Sequence, residues 1–441
     1  ATLGLEPILL SRKKSEDIKN WYRIFILDKP VLAMGLRSAV FVPLRNLGLI
    51  IVEDEPNPNY KNIQAPYYHV RDVSLVRRDL QKVNLILGAN LPSLESFYLI
   101  KRRKAKYLFL PSKRKEPPEI KIIRPQKSSN FKKSILSVYI QDQINQAIQQ
   151  KEKVLLCMNR RGFATFIYCQ SCGVVLKCPR CNINLVYHFE NKNLRCHYCN
   201  FKSDLPKICT VCNSGYIKYK GGGIEKIENQ IACFFPNAKV ERYDRDNKVL
   251  NPEFDICIAT KGITDKMDLD FSLAIILKLE NFLNQMDFRA EEKMFYFITK
   301  LFNLTGKRLI VESFSLDPDR ASILINKNFS PFYEEELKKR KETRFPPFWQ
   351  IISLRLRGRN QTKVLQKTKE LFEKLRRHNK NKNIEIFSYG KFYPEKLRDN
   401  YYAQILIKTK DVFTANKFIK GNLKKFSHSG IILTIDVDPI F

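Results

Sequence analysis

Four Cys-x-x-Cys pairs limit the possible folds of this chain more than any other feature of its sequence. They contain eight of the eleven cysteines and lie at Cys169/Cys172, Cys178/Cys181, Cys196/Cys199 and Cys209/Cys212. A Cys-x-x-Cys turn places two thiolates on one side of a tight knuckle, and two knuckles complete a tetrahedral zinc site. Four regularly spaced pairs favour metal binding over redox or disulfide chemistry. We therefore predict two closed four-cysteine zinc sites, which are structural because no coordination position stays open.

The spacing between the pairs predicts which of them share a zinc ion. Fourteen residues separate Cys181 from Cys196, which is enough for the hairpin of a zinc ribbon, with the alternating segment INLVYHF as one strand. The two outer pairs then bind the other ion, so that the sites are nested. We predict a zinc-binding insertion over residues 168–215, with one site formed by Cys169, Cys172, Cys209 and Cys212 and the other by Cys178, Cys181, Cys196 and Cys199.

The remaining cysteines and the nearby histidines have other predicted roles. Cys157, Cys233 and Cys257 lie in apolar runs and are expected to be buried small hydrophobic residues. His188 and His197 are not expected to bind metal. No apolar run approaches the roughly 20 residues that cross a bilayer, and no secretory signal opens the sequence. We therefore expect a soluble cytosolic protein. In the cytosol, paired cysteines are metal ligands more often than they form disulfides.

The charge balance indicates a polyanionic partner. Lys and Arg total 78 against 45 acidic residues, which gives a formal net charge of +33. Such an excess favours nucleic-acid binding, although it does not distinguish DNA from RNA. A genome composition biased toward Lys, Asn and Ile would produce part of the same excess. The hydrophobic content of 44% is that of a globular chain rather than a disordered one.

Apolar runs that alternate with helical segments predict parallel α/β sheets. The run NLGLIIVEDEP (Asn46–Pro56) is predicted to be a strand buried on both faces that ends in the acidic cluster Glu53, Asp54 and Glu55. Further strands are predicted in VNLILGANLPSLES, EKVLLCMNRRGFATFIYC, EFDICIAT and SLAIILKLE, and a helix in ILSVYIQDQINQAIQQ. Nucleotide-hydrolysing sheets hold magnesium with such a cluster. The matching Gly-x-x-x-x-Gly-Lys-Ser/Thr loop, however, does not occur in the sequence.

Composition divides the chain into three predicted domains, at residues 1–110, 111–345 and 346–441. The Pro- and Lys-rich segment Leu110–Asn130 is predicted to link the first two. Pro346-Pro347 opens the third, in which the order strand, helix, strand, strand, helix, strand predicts an α+β fold. Its basic helices are available to phosphates.

Several segments resemble the PriA (primosomal protein N′) family of replication-restart helicases, and the resemblance extends over nearly the whole chain. It is carried by LRSAVFVPLRNLGLIIVEDE, NYKNIQAPYYHVRDVSLVRRDL, LGANLPSLES, MNRRGFATFIYCQSCGVVLKCPRC, RCHYC, DFRAEE, PFYEEELKKRKETRFPPFWQ and DVDP. The resemblance implies remnants of two RecA-like superfamily 2 helicase lobes, an inserted double zinc-ribbon module and a C-terminal α+β DNA-binding domain. It also implies zinc in the nested arrangement and a role in reloading the replisome at stalled forks.

The resemblance also implies particular partners. These are forked DNA or junctions of single-stranded and duplex DNA, other primosome proteins, the replicative helicase loader and the single-stranded DNA-binding protein. It places the chain at the nucleoid in a bacterial cytoplasm, with no membrane partner. We predict salt-sensitive contacts to DNA phosphates from five cations in and beside the cysteine segment, namely Arg160, Arg161, Lys177, Arg180 and Arg195.

The ATP site departs from the family pattern at several motifs. The phosphate-binding loop is missing, the family's Asp-Glu-Glu-His is Glu53–Pro56 (EDEP), and its Ser-Ala-Thr-type motif is Ala89-Asn90-Leu91. Leu304 and Lys307 stand where arginines are expected, and ATKGITDKMD is similarly altered. Phosphoryl transfer needs the phosphate cradle, a magnesium carboxylate and a charge-stabilising cation together.

These losses favour a restart protein that binds DNA without helicase or ATPase activity. Its cofactors would be two Zn²⁺ ions, with no working site for ATP and Mg²⁺, and Glu53, Asp54 and Glu55 would be a degenerate acidic motif. Two alternatives stay open. One is an active ATP-dependent 3′-to-5′ DNA helicase whose N-terminal part is missing from the sequence, and the other is an RNA-binding zinc-ribbon protein.

Overall fold

The computed structural model of the chain forms three α/β or α+β units and one cysteine-rich module. It describes residues 7–10, 14–110, 117–124, 134–158, 166–182, 184–188, 193–196, 199, 201–220, 224–244, 247–266, 268–282, 287–314, 316–423 and 430–439. Among these residues, none of the helices has the length and apolarity that a bilayer crossing requires.

The first unit contains two small parallel sheets. Its elements are β1 (Pro7–Leu10), α1 (Lys14–Ile26), β2 (Leu32–Gly35), β3 (Leu49–Val52), α2 (Val70–Gln81), β4 (Asn84–Leu87) and α3 (Leu94–Lys101). In the described residues β1 pairs with β2, and β3 pairs with β4. Helix α1 packs on the first pair around Leu10 and Ile24, and α2 packs on the second around Val52 and Val70. The strands predicted in NLGLIIVEDEP and VNLILGANLPSLES are thus present, as β3 and β4.

Strand β3 is covered on one face only, so the prediction that this run is buried on both faces is wrong. Ile50 and Val52 contribute to the cluster under α2, whereas Leu49 and Ile51 are 46% and 58% exposed. The physical reason is the size of the sheet. A sheet with two described strands and one covering helix leaves its opposite face open.

The second unit and the cysteine module are interleaved in the chain, because the module is inserted between a strand and a helix of the unit. Before the module come β5 (Glu119–Ile123), α4 (Val138–Gln149) and β6 (Val154–Cys157). The module contains β7 (Phe166–Cys169), β8 (Val186–His188), β9 (Asn193–Arg195), β10 (Lys202–Asp204) and β11 (Ile217–Lys220). The second unit continues with α5 (Ile224–Phe234), β12 (Val240–Tyr243), β13 (Ile256–Ala259), β14 (Phe271–Ile276), α6 (Ala290–Leu304), β15 (Thr305–Glu312), α7 (Pro318–Asn326) and α8 (Ser330–Glu342).

The described strands of the second unit form a parallel sheet in the order β12-β13-β6-β14-β15-β5. All four residues of β6 are fully buried, as expected for a central strand with helices on both faces. Leu155 and Cys157 point into the core beneath α6 and α8, while Val154 and Leu156 point into the core beneath α4 and α5. The α/β class predicted from the alternation of strands and helices is confirmed.

Part of the predicted linker Leu110–Asn130 is an edge strand, which corrects that prediction. Residues Glu119–Ile123 form β5 and pair in parallel register with Arg308–Glu312 of β15. The run EIKII alternates charged and apolar residues, and Ile120 is buried. The flanking Pro and Lys residues concealed this short strand, because they are typical of linkers.

The three cysteines outside the pairs do not share one environment. Cys157 and Cys257 are buried in the sheet, and burial raises the pKa of the Cys257 thiol to about 12. Cys233, however, is exposed, so its predicted burial is wrong. Helix α5 directs Ile227 and Ile231 into the core. Position 233 is two residues beyond Ile231, a rotation that points its side chain away from that face.

The module is a small antiparallel sheet in the order β10-β9-β8-β7-β11. The hairpin β8–β9 pairs Val186 with Arg195 and His188 with Asn193, at the position where the spacing predicts a hairpin. Ile167, Leu185 and Leu194 pack against the cysteines of the second predicted site. The module therefore has a small core of its own beside the metal ligands.

The C-terminal unit has the order of elements that the sequence predicts. It contains β16 (Gln350–Gly358), α9 (Gln361–His378), β17 (Ile384–Leu397), β18 (Asn400–Thr409), α10 (Val412–Leu423) and β19 (Ile431–Val437). The strands form an antiparallel sheet in the order β17-β18-β16-β19. Ile352, Leu354 and Leu356 of β16 point into the core under α9 and α10. Both helices therefore cover the same face of this sheet.

Candidate metal centres and nucleic-acid interface

The structure brings the eight paired cysteines into two groups of four. One contains Cys169, Cys172, Cys209 and Cys212, and the other contains Cys178, Cys181, Cys196 and Cys199. Within each group all four sulfur atoms lie within 4.8 Å of one another. These are the two nested sets that the spacing of the pairs predicts.

The sulfur–sulfur distances suit a tetrahedral metal ion. The Sγ atoms of Cys169 and Cys212 are 3.5 Å apart, those of Cys172 and Cys209 3.7 Å, and those of Cys178 and Cys199 3.6 Å. Zinc–sulfur bonds of about 2.3 Å in a tetrahedron separate the sulfur atoms by about 3.8 Å. A disulfide would require about 2.05 Å. The clusters are therefore compatible with two zinc ions.

Each of three knuckles ends in a residue suited to its backbone conformation. Gly173, Asn182 and Asn213 directly follow the second cysteine of their pairs and have positive φ angles of 73°, 53° and 57°. Their backbone N–H groups donate to the carbonyls of Cys169, Cys178 and Cys209. Glycine and asparagine adopt this left-handed conformation most readily. The local sequence CxxC-Gly/Asn therefore produces the turn that directs both thiols to one side.

The backbone also favours ionised sulfur, which is the form that binds metal. The N–H of Cys172 is the main cause that lowers the pKa of the Cys169 thiol to about 6. Hydrogen bonds from the N–H groups of Cys212 and Val211 similarly lower the pKa of Cys209. Zinc binding requires such thiolates, and these N–H groups favour them at Cys169 and Cys209. The pKa of Cys212 in the same cluster is raised to about 12, because the lowering effect of the Ser214 N–H is outweighed by the neighbouring cysteine side chains.

The acidic cluster after β3 divides into three different environments. Glu53 is exposed, and a Cβ at Gly88 would lie only 3.0 Å from its carboxylate oxygen Oε2. Glu55 is buried, and its carboxylate accepts hydrogen bonds from the N–H and hydroxyl of Ser93 at 2.7 and 3.0 Å. Burial raises the pKa of Glu55, while the nearby Arg71 guanidinium opposes that rise. Glu55 thus fixes the start of α3 and does not face solvent.

Asp54 is bound by donors from the second unit. Its Oδ2 atom accepts hydrogen bonds from the Tyr296 hydroxyl at 2.7 Å and from Lys300 Nζ at 2.8 Å. Asn57 Nδ2 donates to the same oxygen at 2.9 Å. Burial and the bond to Asp54 raise the pKa of the Tyr296 phenol, which therefore remains a donor. This carboxylate oxygen is satisfied within the chain.

The structure separates the two positions where arginines are expected from this carboxylate. Leu304 is buried in the core of the second unit. Lys307 lies near the start of β15 and pairs with Glu152, just before β6. Both lie toward the amino ends of the strands, whereas ligands of open parallel sheets bind at the carboxyl ends. The sequence analysis did not predict that Lys300 binds Asp54. The spacing of four residues between Tyr296 and Lys300 nevertheless places both on one face of α6.

The predicted DNA contacts lie in two parts of the chain. Lys177 and Arg180 are exposed in the module, and the Arg180 guanidinium lies 5.7 Å from the centre of the Phe201 ring. Arg195 is half-buried in β9. Arg160 and Arg161 lie outside the described residues, and so does His197. The side chain of His188 is likewise not described.

A cavity of about 340 Å³ lies where the first, second and C-terminal units meet. Its lining includes His69, Arg71, Arg289, Phe348 and Asp438. Burial, with help from the Arg71 charge, lowers the pKa of His69 to about 4. Burial raises the pKa of Asp438 to about 6, against the opposing effects of Arg289 and the Ile351 N–H. Asp72 and Glu95 are the acidic groups that act on both His69 and Asp438, and each raises the pKa of both side chains.

We expect the substitution Asp438→Asn to stabilise the protein progressively, relative to the parent chain, as pH rises from about 4 to 6. In that window the folded parent keeps the Asp438 proton that the unfolded chain has lost, so its stability falls with rising pH. The full difference is about 3 kcal/mol. Urea unfolding of both proteins at several pH values measures it, and a pH-independent difference would contradict the assignment. His69 contributes a dependence of stability on pH with the opposite sign, because burial lowers its pKa. That contribution is the same in both proteins and cancels in the difference.

Comparisons with known proteins match the module and the C-terminal unit to one family. A family model described as the PriA DNA helicase Cys-rich region (CRR) domain matches residues 178–203. A second, described as the Primosomal protein N C-terminal domain, matches residues 341–440. These matches cover the second cysteine cluster and nearly all of the βαββαβ unit.

Whole-chain similarity extends the match. The replication restart protein PriA of Synechocystis sp. is 31% identical over 95% of this chain and 54% of that protein. The PriA of Rickettsia conorii is 28% identical over 99% of this chain and 70% of that protein. The solved structure of the DUF1998 helicase MrfA bound to DNA and AMPPNP covers 75% of this chain and 40% of that chain, with 7% identity and a TM-score of 0.36.

The chain spans about half the length of curated relatives such as the Synechocystis protein, of which it covers 54%. The similarity nevertheless includes the first unit, the sheet of the second unit, the cysteine module and the C-terminal unit, since it covers 95% of the chain. The chain is similar to PriA replication restart proteins over nearly its whole length, and PriA family models match its cysteine module and its C-terminal unit.

Proposed function

We propose that this chain is a replication restart protein that binds forked DNA, including stalled replication forks, and helps to reload the replisome without hydrolysing ATP. The observation that carries the proposal is the state of Asp54. Three donors from Asn57, Tyr296 and Lys300 converge on one of its carboxylate oxygens. A carboxylate that holds magnesium or orients an attacking water needs accessible lone pairs. Here the ammonium of Lys300, the phenol of Tyr296 and the amide of Asn57 occupy those of the Oδ2 atom.

The rest of the acidic cluster supports the same proposal. Glu55 is buried, and its hydrogen bonds are used at the start of α3. Glu53 alone remains exposed, and one carboxylate does not replace a phosphate cradle and a charge-stabilising cation. The two positions at which the family resemblance leads us to expect arginine are Leu304 and Lys307.

DNA is the substrate that the charge and the family favour. The net charge of +33 supports phosphate binding, and Lys177 and Arg180 offer exposed cations on the module. Arg195, Arg160 and Arg161 complete the proposed set. Two zinc ions would hold the knuckles that carry or directly follow Lys177, Arg180 and Arg195. Fork proteins act on any sequence, so phosphate contacts rather than base contacts would provide the affinity.

The wider role is part of the proposal. Within it, other primosome proteins, the replicative helicase loader and the single-stranded DNA-binding protein are the protein partners, and the bacterial nucleoid is the location. The division into a first lobe at residues 1–110, a second at 111–345 and a C-terminal domain at 346–441 also belongs to it. Similarity to the PriA replication restart proteins supports this role.

We expect the chain to show no DNA-stimulated ATPase activity while it binds forked DNA with strong salt dependence. With Mg-ATP and forked DNA, phosphate release should equal that of the matched variant Glu53→Gln/Asp54→Asn. In fluorescence titrations, each contact with a duplex phosphate should contribute about 0.9 to the slope of log affinity against log salt. Turnover that the double substitution abolishes would overturn the non-hydrolysing role, and a higher affinity for RNA competitor than for forked DNA would overturn the DNA role.

A further inference from the structure

In the described part of the C-terminal unit, one face of the sheet has no helix of that unit on it. Helices α9 and α10 cover the face to which Ile352, Leu354 and Leu356 point. The intervening residues of β16 therefore point to the other side. There, Arg355 lies opposite Gln404 and Thr434, and Arg357 lies opposite Tyr402 and Ile432. We call this the open face and define it by Arg355, Arg357, Phe392, Tyr402, Gln404, Ile432 and Thr434.

Aromatic rings and guanidinium groups are interleaved on the open face. The Arg355 guanidinium lies 4.8 Å from the centre of the Phe392 ring, and that ring lies 6.2 Å from the ring of Tyr402. All three side chains are half-buried, whereas Ile432 is 52% exposed. Such a platform offers flat apolar surfaces beside positive charge. Single-stranded nucleic acids bind surfaces of this composition, because their bases stack on aromatic rings while cations bind their phosphates.

Both arginines have unused hydrogen-bonding capacity. Their Nε atoms are buried, and within the described residues neither has a hydrogen-bond partner. A buried donor without a partner costs free energy, which an incoming acceptor would recover. Arg355 has one ion pair, with its Nη2 atom 3.6 Å from Asp436 Oδ2. The remaining donors of the two guanidinium groups suit phosphate oxygens, which arginine binds with paired N–H groups.

The β17–β18 hairpin, which carries Phe392 and Tyr402 of the open face, contacts the cysteine module at its turn. Lys396, near the end of β17, donates from Nζ to the carbonyl of Pro179 at 2.7 Å. The N–H of Asp399 donates to the carbonyl of Arg180 at 3.1 Å, and Leu397 packs against the module core. Pro179 and Arg180 lie within the knuckle of the second cysteine cluster. The hairpin that carries Phe392 and Tyr402 is therefore joined to the module that carries Lys177 and Arg180.

We propose that the open face binds single-stranded DNA, with bases stacked on Phe392 and Tyr402 and phosphates bound by Arg355 and Arg357. The inference rests on the proposed DNA-binding function and locates part of it on the sheet, whereas the basic helices α9 and α10 are the phosphate surface expected from the sequence. Duplex DNA fits this face less well, because its bases are already stacked on one another and offer no free ring surface.

The test compares two double substitutions that remove equal charge from opposite sides of the unit. Arg355→Gln/Arg357→Gln changes the open face, and Arg376→Gln/Arg377→Gln changes two exposed arginines of α9. For fluorescent oligo(dT), the first variant should lose about 1.4 units of log–log salt slope, at about 0.7 per single-strand phosphate contact. The second should keep the slope of the parent chain. The reverse pattern would overturn the inference while the DNA-binding function stands.

Stacking has its own readout. Phe392→Leu/Tyr402→Leu keeps apolar bulk but removes the rings, and it should weaken oligo(dT) binding roughly 5- to 150-fold for each base that loses its partner. Binding to a blunt duplex of equal charge should change far less. Equal losses on both ligands, or none, would overturn the stacking role.

Photocrosslinking gives an independent measurement that does not depend on affinity. Oligo(dT) carrying 5-iododeoxyuridine should crosslink to peptides that contain Phe392 or Tyr402, and crosslinks confined to α9 or α10 would contradict the proposal. If the parent chain binds neither oligo(dT) nor forked DNA, the proposed function itself fails. If oligo(U) displaces oligo(dT) at lower concentration than oligo(dT) itself, the ligand is RNA and the inference is wrong.

Discussion

Replacing Cys196 by serine is expected to reduce the zinc content from two ions per chain to one and to unfold the β8–β9 hairpin. Cys196 is fully buried and belongs to the second cluster. Its loss leaves three ligands, and structural zinc sites contribute folding free energy on the order of 10 kcal/mol. The neighbouring core of Ile167, Leu185 and Leu194 is too small to replace that contribution. The effect should therefore include the whole hairpin rather than one turn.

Metal analysis of the purified chain and amide hydrogen exchange measure the two parts of this prediction. Residues 178–199 should lose protection, while β6 and β13 of the six-stranded sheet keep theirs, because the module has its own core. Cys233→Ser is the matched control, since Cys233 is exposed and lies outside both clusters. A parent chain with fewer than two zinc ions, or a Cys196→Ser protein that retains both, would refute the assignment.

Arg340→Met is expected to destabilise the fold by about 3–5 kcal/mol, because it leaves buried carboxylates without their cation. Arg340 Nη2 lies 2.9 Å from Glu292 Oε2, and Nε lies 2.9 Å from Glu336 Oε1. The other Glu292 oxygen accepts a hydrogen bond from the N–H of Leu94, at the start of α3. One carboxylate thus joins the first unit to α6 and α8. Without the Arg340 cation, the Glu292 charge is uncompensated. The substitution should therefore weaken the contact between the first and second units as well as the packing of α6 on α8.

Lys339→Met is the matched control, because it removes the same charge one residue earlier on α8. The Lys339 side chain is 60% exposed, and its Nζ lies 3.7 Å from Glu336. Exposed pairs of this kind contribute about 0–1 kcal/mol. Urea unfolding should therefore shift strongly for Arg340→Met and little for Lys339→Met. Similar small shifts for both variants would show that Glu292 and Glu336 do not depend on Arg340.

Local sequence was sufficient to predict the cysteine clusters. A Cys-x-x-Cys turn followed by Gly or Asn determines its own geometry, so spacing alone separated the nested pairs. The elements of the C-terminal unit follow from periodicity for the same reason, because in β16 the residues that face α9 and α10 alternate with residues that do not. For the cysteine clusters and these elements, whose environment the neighbours in sequence determine, the prediction is confirmed.

Apart from Cys233, whose exposure follows from its position on α5, the errors occur where distant residues decide the environment. Strand β5 resembles a linker in composition, yet its pairing with β15 makes it part of the sheet. Leu49 and Ile51 have the composition of a buried strand but lack a second covering layer in the described residues. Lys300 is separated from Asp54 by the whole module, so only the folded chain shows that it neutralises this carboxylate. Sequence spacing contains no information on such contacts.

The Lys300–Asp54 contact has a thermodynamic consequence for any cation that approaches the acidic cluster. An ammonium tethered to the same chain acts as a competing ligand with an effective concentration of about millimolar or higher. A divalent ion would have to displace it from the oxygen that lies 2.8 Å away. Displacement would at the same time weaken the contact that Tyr296 and Lys300 make with the first unit, while Glu292 would still join α6 to Leu94. By linkage, metal binding at Asp54 and cohesion between the two units would oppose each other.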